Sequence, residues 1–195
     1  MYYKRAKLLT LYLLMVIGII SGGARADEER PSEYQVKAAF VYNFAKFVEW
    51  PVSAFRGPAD SITIGVVGET GNGFEEALEQ TIRGKTINGR HLEKRHVNSP
   101  EDVGNCQIIF FCRLEKKAFG DFEKGRQIKF LRLLEKQSVL TVGETDWFLH
   151  NGGVINFIVE EGKVRFDIDK SKAQKLSLKI SSKLLNLAKN RGVVP

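Results

Sequence analysis

Apolar and polar positions along this chain alternate between two periods, and the alternation marks out its elements. From Ser32 to Glu49, Val36, Phe40, Phe44 and Phe47 recur at helical spacing and make one core stripe. Ser32 followed by Gln35 predicts a capping box at the start of this helix. Trp50-Pro51 predicts its end, because a residue before proline avoids helical geometry. Ser61 to Val67 is apolar and β-branched, as a buried strand is. A short amphipathic helix follows at Phe74 to Ile82. Thr86-Ile87, the Asn88-Gly89 turn and Arg90 to Val97 read as a turn into a strand. Cys106 to Cys112 reads as another buried strand, Gln127 to Lys136 as a helix, and Ser138 to Val142 as a strand. Asp146 to Leu149 suits a short helical turn. Val154 to Val159 and Lys163 to Ile168 predict a hairpin around Glu161-Gly162. Ser177 to Asn190 reads as one closing helix with Ile180, Leu184, Leu187 and Ala188 facing inward.

Strand and helix signals in alternation predict an α/β domain. The hairpin is antiparallel while the earlier strands are joined by helices. A mixed sheet of about five to six strands with helices on both faces is therefore expected. The chain shows no repeat and no interdomain linker.

The first 26 residues stand apart. Lys4, Arg5 and Lys7 precede an apolar run of 13 residues, Leu8 to Ile20, and Ala24-Arg25-Ala26 follows as a cleavage pattern. This layout predicts a cleaved secretory signal peptide over 1–26 and a periplasmic domain over 27–195, with an uncleaved anchor as the alternative. The apolar run is short for a bilayer, which needs about 20 residues.

Cleavage also changes the charge argument. The whole chain carries 30 basic and 23 acidic residues, a net of +7. Lys4, Arg5, Lys7 and Arg25 lie before Asp27 and no acid does, so the remainder holds 26 against 23, a net of +3. Nucleic acid is thereby excluded as an expected partner.

Candidate chemistry is sparse. Gly68 to Gly73 joins a strand to a helix, but its spacing is not that of a dinucleotide or phosphate loop. A small ligand near Gly71 and Gly73, or at the Gly152-Gly153 turn, remains open. His91 and His96 differ by an odd number and point to opposite faces of one strand, so they make poor co-ligands. No catalytic motif, metal set or cofactor site is expected. Cys106 and Cys112 lie about 20 Å apart if they share one strand. They are then expected as free buried thiols rather than a bridge, or with one paired across a dimer. From Lys170 to Pro195 there are seven basic residues and no acid. Lys172, Lys175, Lys179 and Lys183 would share one helical face, either solvated or facing an acidic partner. Tyr34, Tyr42 and Trp50 lie off the first helix's apolar stripe or at its end, where partner-binding aromatic residues are favoured. Tyr34, Tyr42, Trp50, Lys175, Lys179 and Lys183 are thus the candidate partner surface.

Tyr34-Gln35-Val36-Lys37-Ala38-Ala39-Phe40-Val41-Tyr42-Asn43-Phe44-Ala45-Lys46-Phe47-Val48-Glu49-Trp50-Pro51 resembles the opening signature of the YfiR-like family of periplasmic proteins. Gly152-Gly153-Val154-Ile155-Asn156-Phe157 resembles a later element of that family, with Val154 where a methionine is usual. Val164 to Ile168 and Leu178 to Leu185 resemble its closing strand and helix. The resemblance implies a single α/β domain without known catalysis. It implies a repressor of an inner-membrane signalling protein, a diguanylate cyclase, acting by binding that enzyme's periplasmic sensor region and lowering cyclic di-GMP. A periplasmic small-molecule sensor is the alternative, and a homodimer stays open.

Overall fold

The computed structural model describes residues 31–68, 73–113 and 120–190. The expected signal peptide and Gly71 lie outside the described residues. Those from Ser32 to Asn190 make one compact unit.

Helix α1 spans Glu33–Phe47. Its capping box forms as the sequence predicts: Ser32 Oγ accepts from the Gln35 backbone N–H at 3.2 Å, and Gln35 Oε1 accepts from the Ser32 N–H at 2.7 Å. The helix ends two residues earlier than expected, because Val48–Glu49 become extended strand β1. Its buried stripe is also displaced. Lys37, Ala38, Val41, Phe44 and Ala45 face inward, while Val36, Phe40 and Phe47 are half-buried.

The remaining elements are β2 (Ile62–Val67), α2 (Phe74–Ile82), β3 (Thr86–Ile87), β4 (Arg90–His96), β5 (Cys106–Phe111), α3 (Gly120–Leu134), β6 (Leu140–Gly143), β7 (Ile155–Glu160), β8 (Lys163–Ile168), α4 (Lys170–Lys175), β9 (Lys179–Ile180) and α5 (Ser182–Leu187). The main sheet has seven strands, slightly more than expected, in the order β3-β4-β2-β5-β6-β7-β8. The five central strands pair parallel, and the outer pairs β3–β4 and β7–β8 are antiparallel hairpins. Both hairpins turn on the predicted residues, Asn88-Gly89 and Glu161-Gly162, all four with positive φ. Such a turn matches the natural twist of a two-residue hairpin.

Every residue of β2 and β5 is buried, as expected of parallel strands covered on both faces. On one face α1, α2 and the closing segment pack Phe44, Phe74, Phe110, Phe157 and Phe166 into the larger core. On the other face α3 and the Trp147–Leu149 turn pack Phe111, Phe130 and Phe148 into a smaller one.

The register between β2 and β5 shifts at Thr63/Ile64. Gln107 fills the irregularity, accepting from the Thr63 N–H at 2.8 Å through Oε1 and donating to Ala54 O at 2.8 Å through Nε2. One consequence is that Cys106 belongs to the α3-side core and Cys112 to the α1-side core. Both are buried, and neither is in a disulfide.

The closing helix expected over Ser177–Asn190 is broken. Ser177 adopts a left-handed backbone with φ 60°. Leu176 and Leu178 are buried and Ile180 is half-buried, while Ser177 and Lys179 are exposed. That is the period of an extended chain, and β9 pairs antiparallel with β1, Glu49 opposite Lys179. Lys172, Lys175, Lys179 and Lys183 therefore do not share a helical face: they fall on α4, β9 and α5.

Candidate partner-binding ridge

The Trp50-Pro51-Val52 turn follows β1 and stands between two hollows. Trp50 is half-buried, and its indole N–H donates to Gln107 O at 3.1 Å. Val52 is 89% exposed, the most exposed large apolar side chain among the described residues. One hollow, of about 520 Å³, is lined by Glu49, Trp50, Val52, Leu178 and Lys179 among others. The second, of about 570 Å³, shares Glu49, Trp50 and Val52 and extends to Phe55 and Arg90. The β1–β9 pairing thus brings Trp50 and Lys179 to the same hollow, although 129 positions separate them in the chain. Lys175 and Lys183 are exposed on α4 and α5 at either side of β9.

The other two aromatic candidates lie elsewhere. Tyr42 is half-buried with Lys85 Nζ 4.5 Å above its ring. Tyr34 is at the opposite end of α1, on the order of 20 Å from the ridge along the helix axis. It packs edge-on against Phe74 and under Lys37, whose Nζ is 4.8 Å from the ring centroid. Burial pushes its phenol well above the usual range, and the neighbouring Glu144 carboxylate adds to this.

Beside Tyr34 lies a cluster that the sequence reading did not single out. Lys37 is fully buried and pairs with both Glu33 and Glu144. Glu144 is itself buried, and its other oxygen accepts from the Arg113 backbone N–H at 2.6 Å. One carboxylate thereby ties α1 to the ends of β5 and β6. The i,i+4 spacing of Glu33 and Lys37 was a visible signal, but nothing local pointed to Glu144.

The glycine candidates divide. Gly73 caps α2 with φ 81° and no side-chain cap. Gly152 closes a short turn with φ 93°. Gly153 leaves space for Phe148: a Cβ there would stand 2.2 Å from the Phe148 ring, and one on Gly143 would stand 2.4 Å from it. The ring is held between two backbone segments, which gives Gly153 a packing role.

Of the histidines, His96 bonds Glu75 through Nδ1 at 2.8 Å and Asn98 through Nε2 at 3.0 Å. His91 is exposed. Among the described residues no group of three or more His, Cys, Asp or Glu could hold a metal ion, and no helix is long and apolar enough to cross a membrane.

The YfiR/HmsC-like family model matches residues 34–189, from the first aromatic of α1 to the segment that covers the edge of β8. The chain belongs to the YfiR/HmsC-like family. A comparison with curated proteins finds no match. A solved conserved domain protein from Vibrio cholerae O1 biovar El Tor aligns at a TM-score of 0.49 and 14% identity, over 81% of this chain and 60% of that one. In this YfiR/HmsC-like chain the matched region runs through both hollows and the buried Lys37 cluster.

Proposed function

We propose that the protein is a periplasmic, non-enzymatic regulator that binds the sensor region of an inner-membrane diguanylate cyclase and lowers cyclic di-GMP. Family membership supports the regulatory class and this kind of partner. The observation that carries the surface is the exposed Val52 on a ridge anchored by Trp50, with a hollow on each side. A rigid aromatic residue beside an exposed apolar one is what an interface centre needs. Lys179 lines one of these hollows, and Lys175 and Lys183 are exposed on the helices that flank β9, a positive charge that an acidic sensor surface would complement.

The test uses the full chain with its leader removed and the isolated sensor region of the candidate cyclase. Val52→Asp combined with Lys175→Glu and Lys183→Glu alters the surface without touching a buried group. These substitutions are expected to weaken binding at least tenfold and to raise cellular cyclic di-GMP toward the deletion level, with an unchanged circular dichroism spectrum. Full affinity in a folded triple variant would place the interface elsewhere. Unchanged cyclic di-GMP on gene deletion would remove the regulatory reading itself.

A further inference from the structure

The hollow between the end of α1 and the β3–β4 turn, about 570 Å³, is within the usual range for a small-ligand site. Its floor is buried and apolar: Val48, Ile62 and Ile87. Trp50 and Phe55 supply aromatic walls. The polar group that matters is Arg90. Its Nη1 donates to Gly57 O at 3.0 Å and to Asp60 O at 2.7 Å, and its guanidinium carbon lies 3.9 Å from the Phe55 ring centroid. Two backbone oxygens and a ring therefore hold this cation in place before any ligand arrives.

Arg90 has no carboxylate partner among the described residues. Asp60 is close, but its carboxylate is turned away, accepting from the Arg56 N–H at 2.6 Å and the Gly57 N–H at 3.0 Å. Only Nη1 is engaged, so the Nε–Nη2 edge makes no hydrogen bond among the described residues. That edge is the fork that binds a carboxylate through two parallel hydrogen bonds. Lys46 adds a second cation to the lining, against a single acid, Glu49.

We propose that this hollow binds a small apolar monocarboxylate, with the carboxylate on the Nε–Nη2 fork of Arg90 and the hydrocarbon body over Trp50, Phe55 and the apolar floor. The pairing explains why a preset guanidinium shares one lining with an apolar floor: a hydrocarbon alone would leave the cation unmatched, and an inorganic anion would leave the floor wet. The inference does not rest on the partner reading, although the two hollows share Trp50 and Val52.

The probes are straight-chain carboxylates from butanoate to octanoate, with the matching alcohols, titrated calorimetrically into the wild-type protein. Affinity is expected to rise roughly fourfold per added methylene until the hollow fills. Each alcohol is expected to bind at least tenfold more weakly than its carboxylate. In the nuclear magnetic resonance spectrum the Trp50 indole N–H should shift on binding, and that of Trp147, packed on the other face of the sheet, should not. Arg90→Lys keeps the charge but loses the fork, and should cost at least tenfold in affinity. Equal binding of alcohol and carboxylate, or a response at Trp147 in place of Trp50, would overturn the proposal. So would wild-type affinity in Arg90→Lys. The comparison of carboxylate with alcohol needs no variant, so it decides the matter even if Arg90→Lys loosens the 55–60 loop. Loss of cyclase binding in the ridge variant bears only on the partner reading.

Discussion

At the scale of single residues, Lys37 sets the largest local demand. A fully buried ammonium is tolerated only because two carboxylates meet it, and one of those, Glu144, is buried as well. Removing one partner leaves the other charged and unmatched in a dry site. Lys37→Met is therefore expected to cost about 3–5 kcal/mol in urea unfolding. Adding Glu144→Gln to it should restore much of that loss, since the amide oxygen still accepts from Arg113 N–H while the charge is gone. A double variant no more stable than Lys37→Met would refute this account of the cluster. The second residue-scale demand is steric. Gly153→Ala places a methyl group 2.2 Å from the Phe148 ring, which cannot retreat because the Gly143 backbone stands behind it. A loss of about 1–3 kcal/mol is expected from such overpacking, read as a lower urea midpoint. The sequence marks these two sites unequally. Gly152-Gly153 stands out as a turn, but that it receives a ring from five residues upstream depends on the third dimension. Glu33 and Lys37 show the right spacing, yet their shared burial depends on Glu144, more than a hundred positions away.

At the scale of elements, α2 is held to β4 by polar contacts as well as by packing. Glu75, in the first turn of α2, receives Lys94 Nζ at 3.0 Å and His96 Nδ1 at 2.8 Å. Burial alone would raise the Glu75 pKa, but the hydrogen bonds and charges of Lys94 and His96 outweigh it and hold the carboxyl below its usual 4.5. A lowered folded-state value means that the ionised form favours folding. Its contribution is present above the ordinary carboxylate pKa and is lost as pH falls through the lower folded value. Glu75→Gln is expected to lower the melting temperature at pH 7 and to flatten its decline on acidification below 4.5. Parallel melting curves for the two proteins across that window would exclude this role. The same scale shows where periodicity misled. In the closing segment, Ile180, Leu184 and Leu187 fit a helical face, but Leu176, Leu178 and Ile180 fit a strand equally well. The tie is broken by β1, whose open edge needs a partner that a helix could not provide.

At the scale of the molecule, local signals were enough for the hairpins and the helix caps, because both are decided by neighbours in sequence. Strand order was not legible, since it depends on which buried apolar strand lies beside which. That order decides the fate of the two cysteines. They occupy the two ends of one strand run, and the register shift beside Gln107 turns Cys106 into one core and Cys112 into the other. A disulfide needs Cα atoms within about 7 Å, which no rotation of these side chains can supply across a sheet. Burial also pushes the Cys106 thiol up to about 11, so the reactive thiolate is scarce at neutral pH. Two consequences follow for the intact chain. Native protein should react slowly with a thiol reagent such as dithionitrobenzoate at pH 7, whereas two thiols per chain should titrate rapidly in denaturant. Mild oxidation of the folded protein should leave its mass and its mobility on a non-reducing gel unchanged. Rapid modification of a thiol in the native state would mean that a core opens locally with ease. A mass loss of two protons would mean a strand rearrangement that the sheet order forbids. With an internal bridge ruled out by topology, the two cysteines offer no disulfide switch within the chain. Among the described residues, two surfaces open to a partner or a ligand are the hollows that meet at Trp50 and Val52.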